Sequence, residues 1–157
     1  MKDKIEIIEK INSFPKKILG ATDFVDLPEL NLLNVSCKID TGADVSALHC
    51  EKVRLVEKDG VEYISIVPLD PSHHQYQRKV LKFRNFKEKK IKNSFGDSEF
   101  RYSIRTNIFI LGEIFPVELT LTDRGNMKYP LLLGKNVLKN RFLVDVSLKN
   151  ISFDAKV

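Results

Sequence analysis

The chain has 157 residues, of which 43% are hydrophobic, a size and composition that allow one domain with a buried core. Its formal net charge is +5, yet residues 78–92 alone hold eight basic residues against the single acid Glu88, so the basic character is local and argues against nucleic-acid binding over the whole surface. No apolar run has the length of a membrane span or the form of a secretory signal, and two cysteines, Cys37 and Cys50, are too few for a disulfide framework. We therefore expect a cytoplasmic protein that does not contact a membrane.

The first residues predict a short N-terminal helix. Ile5, Ile8 and Ile11 recur at helical spacing until Pro15, which lacks a backbone donor and ends any helix. No internal repeat, low-complexity tract or Gly/Ser linker divides the remaining chain. We expect residues 1–16 to form an extension and residues 17–157 to form one domain.

Beyond this extension the pattern changes to the period of two that is typical of strands. Leu33, Val35, Cys37 and Ile39 alternate with polar residues, which predicts a strand with one buried face that runs directly into Asp40. Further strands are predicted at 61–67, 80–86, 100–111, 117–122 and 142–146, with a turn at 124–126, an apolar run at 130–134 and a short helix at 135–140. The chain is thus predicted to be all-β, with little helix.

The first motif of chemical interest is Asp40-Thr41-Gly42-Ala43, at the end of the predicted strand. It supplies an acid, a hydroxyl, a glycine that permits close approach and a small residue, a combination that suits a carboxylate held at a tight turn. These residues are also ordinary turn formers, so the motif alone is equally compatible with a polar turn between two strands.

A second segment, residues 132–138, lies around Gly134, 94 residues after Asp40, and has the form of two aliphatics, Gly, a base, Asn and two aliphatics. Together the two segments resemble the two signatures of retropepsins, in which the apolar second signature packs beside the catalytic loop. The resemblance implies an all-β, closed β-barrel with one short helix after the second signature. It also implies a homodimeric aspartic endopeptidase, a hydrolase of peptide bonds, in which Asp40 of each chain is catalytic.

The same resemblance assigns supporting roles in the active-site loop to Thr41, Gly42, Ala43, Asp44, Gly134 and Lys135. Asp44 stands where retroviral enzymes carry an acid that pairs with the base of the second signature, which here is Lys135 instead of the commoner arginine. Because lysine is a flexible point charge, we expect a contact between Asp44 and Lys135 that is weak and loosely fixed. The alternative is two independent surface charges.

About residues 18–147 resemble a narrower family, the retropepsin-like proteins of bacteria and archaea labelled ATP-dependent zinc proteases. The matching segments are 18–20, 25–30, 38–43, 46–49, 105–106, 120–134 and 143–145. Some members of that family are associated with the ligase that adds glutamates to ribosomal protein S6 and are implicated in trimming such tails.

The residues themselves favour neither zinc nor ATP. The chain lacks a His-Glu-x-x-His motif, paired-cysteine spacing and a phosphate-binding Gly-rich loop. His49-Cys50 and His73-His74 are the only candidate ligands, and exposed loop histidines with a buried thiol are the simpler interpretation. We expect no metal and no cofactor.

Two arginines at positions matched by the family, Arg105 and Arg124, are candidate substrate-binding residues, because guanidinium binds a carboxylate through two parallel hydrogen bonds. The alternative for each is a solvated surface arginine.

The mechanism implied by the family requires a dimer. Two carboxylates must lie close enough to share one proton, and this chain offers one such motif, so two copies must meet about a twofold axis. A hairpin that covers the cleft is expected within residues 59–98. If the basic segment 78–92 lies on it, that segment could attract an acidic peptide or protein substrate; the alternative is a solvated hairpin.

Two other functions remain open. One is a binding module for acidic peptides that has the fold but no turnover. The other is association with a ribosome or nucleic acid through residues 78–92, where Phe83 and Phe86 could stack on bases; the local charge makes nucleic acid the less favoured partner.

Overall fold

The computed structural model describes residues 2–13, 15–92, 95–123 and 127–156. Within these ranges, three short helices, one 3-10 turn and eleven strands follow one another. They are α1 Lys2–Ser13, β1 Lys17–Leu19, β2 Thr22–Leu27, the 3-10 turn Pro28–Leu30, β3 Leu32–Ile39, β4 Ser46–Lys58, β5 Val61–Pro68, β6 Leu81–Phe83, β7 Lys87–Lys92, β8 Ser98–Ile110, β9 Glu113–Thr122, β10 Leu131–Leu133, α2 Lys135–Leu138, β11 Phe142–Val144 and α3 Ile151–Asp154. The protein is mostly β, as predicted.

Most strands belong to one large sheet, in which neighbours run in the order β10-β3-β2-β8-β9-β4-β5-β6 and β7 pairs with β8. The short strand β10 runs parallel to β3 and also pairs antiparallel with β4. A separate pair is formed by β1 and β11, which run parallel. The strand that ends just before Asp40, β3, therefore lies beside β10, the strand of the second signature.

The core lies between the inward faces of these strands. Its fully buried side chains include Leu48 of β4, Ile104 and Ile108 of β8, Leu119 of β9 and Leu131 of β10. Burying one side chain of this size contributes about 1.5–3 kcal/mol. The alternation predicted for residues 100–111 is confirmed, since Ile104, Ile108 and Ile110 share the buried face of β8.

The alternation predicted for β3 is wrong at its first residue. Leu33 is 60% exposed, whereas Leu32 is 2% exposed. Asn34 adopts a left-handed conformation (φ 53°), and the pairing of β2 with β3 shifts register at Val25/Leu27. This irregularity reverses which side chains point inward, a typical effect of a bulge, while the alternation downstream still leads to Asp40.

Strand β4 was not predicted, because neither of its halves alternates. Its first five residues, 46–50, are all buried, and most of residues 51–58 are exposed. The predicted strand 80–86 was also too long: it ends at Phe83, and β7 begins at Lys87. The turn predicted at 124–126 lies outside the described residues.

The N-terminal helix is confirmed as α1, and its Ile5, Ile7 and Ile8 are each about half exposed. Among the described residues no helix is long and apolar enough to cross a membrane. The short α2 and the last strand, β11, confirm the predictions for residues 135–140 and 142–146, although both elements are shorter than predicted.

Candidate active site

Asp40 follows the last residue of β3 and begins a tight turn held by backbone hydrogen bonds. Its backbone N–H donates to the carbonyl of Leu133 in β10 (2.8 Å), and its Oδ1 accepts from the N–H of Gly42 (2.9 Å). The N–H of Ala43 donates to the carbonyl of Asp40 (3.3 Å). The carboxylate is half-buried, and among the described residues its Oδ2 has no hydrogen-bond partner. The turn thus fixes one carboxylate oxygen and leaves the other available.

The second signature packs directly on this turn, as predicted. The N–H of Lys135 donates to the carbonyl of Ala43 (2.7 Å), and the N–H of Asn136 donates to that of Asp44 (3.2 Å). A Cβ atom on Gly134 would lie 2.7 Å from the carbonyl oxygen of Ala43 and 2.6 Å from that of Val45. Only glycine therefore allows this approach of the two segments.

The side chains of Ser46 and Asn136, which we did not predict as site residues, link the turn at Asp40 to the second signature through hydrogen bonds. The hydroxyl of Ser46, which is 0% exposed, accepts from the N–H of Gly134 (2.9 Å) and donates to Oδ1 of Asn136 (2.7 Å). The amide of Asn136 donates in turn to the carbonyl of Glu118 in β9 (3.0 Å). Ser46 lies in the matched segment 46–49 and Asn136 in the second signature, 132–138. Their places in these segments were the signal by which the sequence could have identified them.

The predicted contact between Asp44 and Lys135 is present but loose. The Nζ of Lys135 lies 3.4 Å from Oδ1 of Asp44, with side chains 56% and 88% exposed. A pair this exposed contributes about 0–1 kcal/mol, so it adds little to the geometry of the loop.

One side of the loop opens onto a cleft of about 580 Å³. Gly42, Ala43 and Asp44 line it from the loop, and Lys90, Lys92 and Arg101 line it from the hairpin formed by β7 and β8. Neither Lys90 nor Lys92 forms an ion pair with a described residue, whereas Arg101 donates through Nε to Glu99 (2.7 Å). The basic segment thus reaches the loop that carries Asp40.

Of the two predicted substrate arginines, Arg105 lies in a neighbouring groove and not in this cleft. The groove, of about 380 Å³, is lined among others by Arg84, Lys87, Arg105 and Glu118. Arg124 lies outside the described residues. Among the described residues Arg101, four residues before Arg105 on the same strand, is the arginine that lines the cleft, and the prediction missed it.

Thr41 does not line the cleft. It is exposed and lines a shallow groove with Leu138, Phe142, Leu143 and Val144, to which Lys135, Lys139 and Asn140 also contribute. The loop therefore separates a basic cleft from a largely apolar surface.

Glu118 lines the groove that contains Arg105 and remains ionised at lower pH than a free glutamate. Burial alone would raise its pKa, but hydrogen bonds from Lys89 and Ser103 and the charges of Lys89 and Lys87 outweigh burial and lower the pKa. The Lys89 Nζ lies 2.8 Å from its Oε1.

The histidines do not fit a zinc site. His49, predicted to be exposed, is instead 3% exposed in β4, where its Nε2 lies 2.8 Å from Oδ2 of Asp70; His73 Nε2 is 3.5 Å from the same oxygen. Within the described ranges no group of three or more His, Cys, Asp or Glu is arranged to hold a metal ion. Burial also raises the pKa of Cys37 and Cys50, which disfavours the thiolate form that zinc requires.

The aromatic side chains of the basic segment are not free to stack on bases. Phe83 and Phe86 both pack against the core, and the ring of Phe86 meets that of Tyr102 edge to face with centroids 5.8 Å apart. Base stacking needs an exposed aromatic face, so these two residues do not support the nucleic-acid hypothesis.

We predict that Gly134→Ala lowers the free energy of unfolding by about 3 kcal/mol or more, because the new methyl group overlaps two backbone carbonyls that cannot move independently. Denaturant unfolding measures the change. Gly112→Ala is the matched control: its φ of +76° strains any side chain, but no atom lies within 4 Å of its Cβ, so the cost should be about 1–2 kcal/mol. Equal costs for the two variants would contradict the close approach at Gly134.

We also predict a pH-dependent effect of Glu118→Gln. The lowered pKa in the folded state means that the ionised Glu118 stabilises the protein above its ordinary pKa of 4.5, and that this contribution is lost as the pH falls through the folded-state pKa. The variant should be less stable than wild type by about 1 kcal/mol near neutral pH and nearly equal to it in strong acid. Urea unfolding at both pH values measures this, and a difference that does not change with pH would contradict it.

Comparison with known proteins identifies the family. The model of the RimB-like family, described as "Retropepsin-like aspartic endopeptidase RimB", matches residues 18–154. Two curated relatives carry the name "Probable alpha-L-glutamate ligase". The one from Desulfotalea psychrophila is 32% identical over 139 residues, covering 85% of this chain and 29% of the relative, and the one from Shewanella pealeana is 34% identical over 137 residues, covering 84% and 29%.

The chain thus spans less than a third of the length of these curated relatives. A crystal structure of a Legionella pneumophila protein of unknown function has the same fold, with a TM-score of 0.63 at 24% identity over 88% of this chain and 99% of that one. The match to residues 18–154 confirms the resemblance inferred from the two signatures: the chain belongs to the RimB-like family of retropepsin-like aspartic endopeptidases.

Proposed function

We propose that the chain is one subunit of a homodimeric aspartic endopeptidase in which Asp40 of each subunit acts on the scissile peptide bond. The observation that carries this proposal is the turn at Asp40. The backbone N–H of Asp40 donates to Leu133 and its Oδ1 accepts from the N–H of Gly42, its Oδ2 lacks a partner among the described residues, and residues 42–45 line a cleft. Such a carboxylate is oriented before substrate arrives, which favours catalysis over a purely structural turn.

Two such carboxylates at a twofold axis would share one proton, since like charges at that distance cannot both ionise. The ionised Asp40 accepts a proton from a water molecule as the water oxygen attacks the carbonyl carbon, and the protonated Asp40 donates its proton to the carbonyl oxygen. Collapse of the tetrahedral intermediate breaks the C–N bond, with a proton passing to the leaving nitrogen. This chemistry requires no metal and no cofactor.

The surface on the far side of the loop supports the dimer. Ile18 of β1 and Leu143 of β11 are register partners, 49% and 54% exposed, and the groove that contains Thr41 lies beside Leu143. An axis that brings two Asp40 residues together must pass close to Thr41, so this apolar surface would face the second copy. The pairing of β10 with both β3 and β4 similarly supports closure of the sheet into a barrel.

The substrate class that we propose is a peptide or protein segment rich in glutamate. Lys90 and Lys92 bring positive charge without a described ion-pair partner to the cleft. The curated relatives are named for ligation of α-L-glutamate, and a glutamate-rich segment is the kind of product that such a reaction makes. A binding module that holds acidic peptides without cleaving them would use the same charges, and the variant at Asp40 separates the two functions.

We predict that Asp40→Asn lowers the rate of peptide cleavage by at least about 100-fold, because the amide can neither accept the proton of water nor share a proton with its partner. The assay is cleavage of a peptide pool that includes oligoglutamate-tailed peptides, from acidic to neutral pH, with sedimentation to verify that the dimer persists. Asp59→Asn makes the same chemical change in an exposed turn between β4 and β5 and should retain activity. Equal cleavage by wild type and Asp40→Asn would overturn the aspartic mechanism, and binding of acidic peptides without cleavage by wild type would favour the binding module.

A further inference from the structure

We propose that the groove beside the cleft is a second binding site for the same substrate, in which Arg105 and Lys87 bind glutamate side chains distant from the scissile bond. We call it the Arg105 groove; it is lined by Arg84, Lys87, Ser103, Arg105 and Glu118, among others. This inference rests on the proposed acidic substrate. It adds a specificity-determining site that cleavage at Asp40 does not itself require.

The strand register places Arg101 of the cleft and the Arg105 groove on one face of the sheet, whereas Lys90 pairs with Phe100 and Lys92 with Ser98, so both project to the opposite face. Lys89 is the register partner of Arg101, Lys87 of Ser103, and Arg105 of Glu118. Directly opposed residues of antiparallel strands project to the same side, as do residues two apart along one strand. The face that carries Arg101 at the cleft therefore continues to Arg105.

The length of this face matches an extended peptide. Arg101 and Arg105 are four residues apart on β8, which corresponds to about 13 Å. An extended peptide rises by the same amount per residue, so two side chains four residues apart could reach both positions at once. A single glutamate could not reach both Arg101 and Arg105, so the affinity should depend on the number of glutamates in the substrate.

The excess positive charge lies in the groove. On this face Arg101 is paired with Glu99, and Lys89 with Glu118, so each acid neutralises one cation. Neither Lys87 nor Arg105 forms an ion pair with any described residue, and both are exposed. Although the charge of Lys87 acts on Glu118 and Arg105 is the register partner of Glu118, a guanidinium and an ammonium that form no ion pair with a described residue are the groups that a substrate carboxylate would bind most favourably here.

A peptide fits this face better than a nucleic acid. Phe86, which also lines the groove, is held edge to face against Tyr102, so it offers no free stacking platform.

The test measures how binding depends on the length of the acidic peptide. In the Asp40→Asn background, which prevents turnover, fluorescence anisotropy gives the Kd of labelled oligoglutamates of three and of eight residues at one fixed salt concentration. We expect the longer peptide to bind more tightly. Arg105→Ala combined with Lys87→Ala should weaken binding of the longer peptide about tenfold and leave the shorter one within about twofold.

The matched control is Lys52→Ala combined with Lys58→Ala, which removes the same charge from exposed positions on β4 that line neither the cleft nor the groove. It should leave both affinities within about twofold of the parent, which separates local contacts from the general effect of charge. An equal loss for both peptides, no loss for either, or a control that matches the groove variant would overturn the proposal. Tighter binding of an oligouridylate of equal charge than of the long oligoglutamate would also overturn it.

In wild-type enzyme the groove variant should raise the KM for long acidic substrates and leave kcat unchanged, because Arg105 and Lys87 do not touch the reacting atoms. The binding measurement does not depend on cleavage. Loss of length-dependent binding in the groove variant, together with no turnover by wild type, would support the groove and reject the peptidase.

Discussion

The close approach of Gly134 to the turn at Asp40 is the contact on which the rest of the site depends. The backbone of Gly134 lies against the carbonyls of Ala43 and Val45 at distances that no side chain could share. Flanking it, Leu133 accepts from the N–H of Asp40 and Lys135 donates to Ala43, so β10 and α2 hold the turn from both sides. The position of the Asp40 carboxylate and the wall of the cleft both follow from this packing.

Buried hydrogen bonds, more than ion pairs, hold this arrangement. The Asp44–Lys135 pair is largely exposed and contributes about 0–1 kcal/mol. Ser46 is fully buried and links Gly134 to Asn136, and loss of its hydroxyl would leave buried partners unsatisfied at about 1–3 kcal/mol each. Lys90, Lys92, Lys87 and Arg105 form no ion pair with a described residue and lie along the cleft and the neighbouring groove, where a ligand can use their charge.

The sequence predicted the parts of the site that depend on local pattern. The alternation that ends at Ile39 located Asp40 at a strand end, and the apolar run around Gly134 located the second signature. The prediction failed where burial does not follow a simple alternation of hydrophobic and polar residues. Asn34 reverses the alternation at Leu33, and β4 is buried in one half and exposed to solvent in the other. The contrast between Arg101 and Arg105 could not be predicted, because it depends on the register between β7, β8 and β9.

The central claim is that each catalytic centre needs Asp40 from two chains, and subunit mixing tests it most directly. Wild type and Asp40→Asn protein are mixed in varying ratios under conditions that allow subunit exchange, and cleavage is measured per wild-type subunit. A shared centre predicts that this activity falls in proportion to the wild-type fraction, to about half at an equal mixture, because mixed dimers carry only one carboxylate. Activity per wild-type subunit that stays constant at every ratio would show that one chain suffices and would contradict the claim.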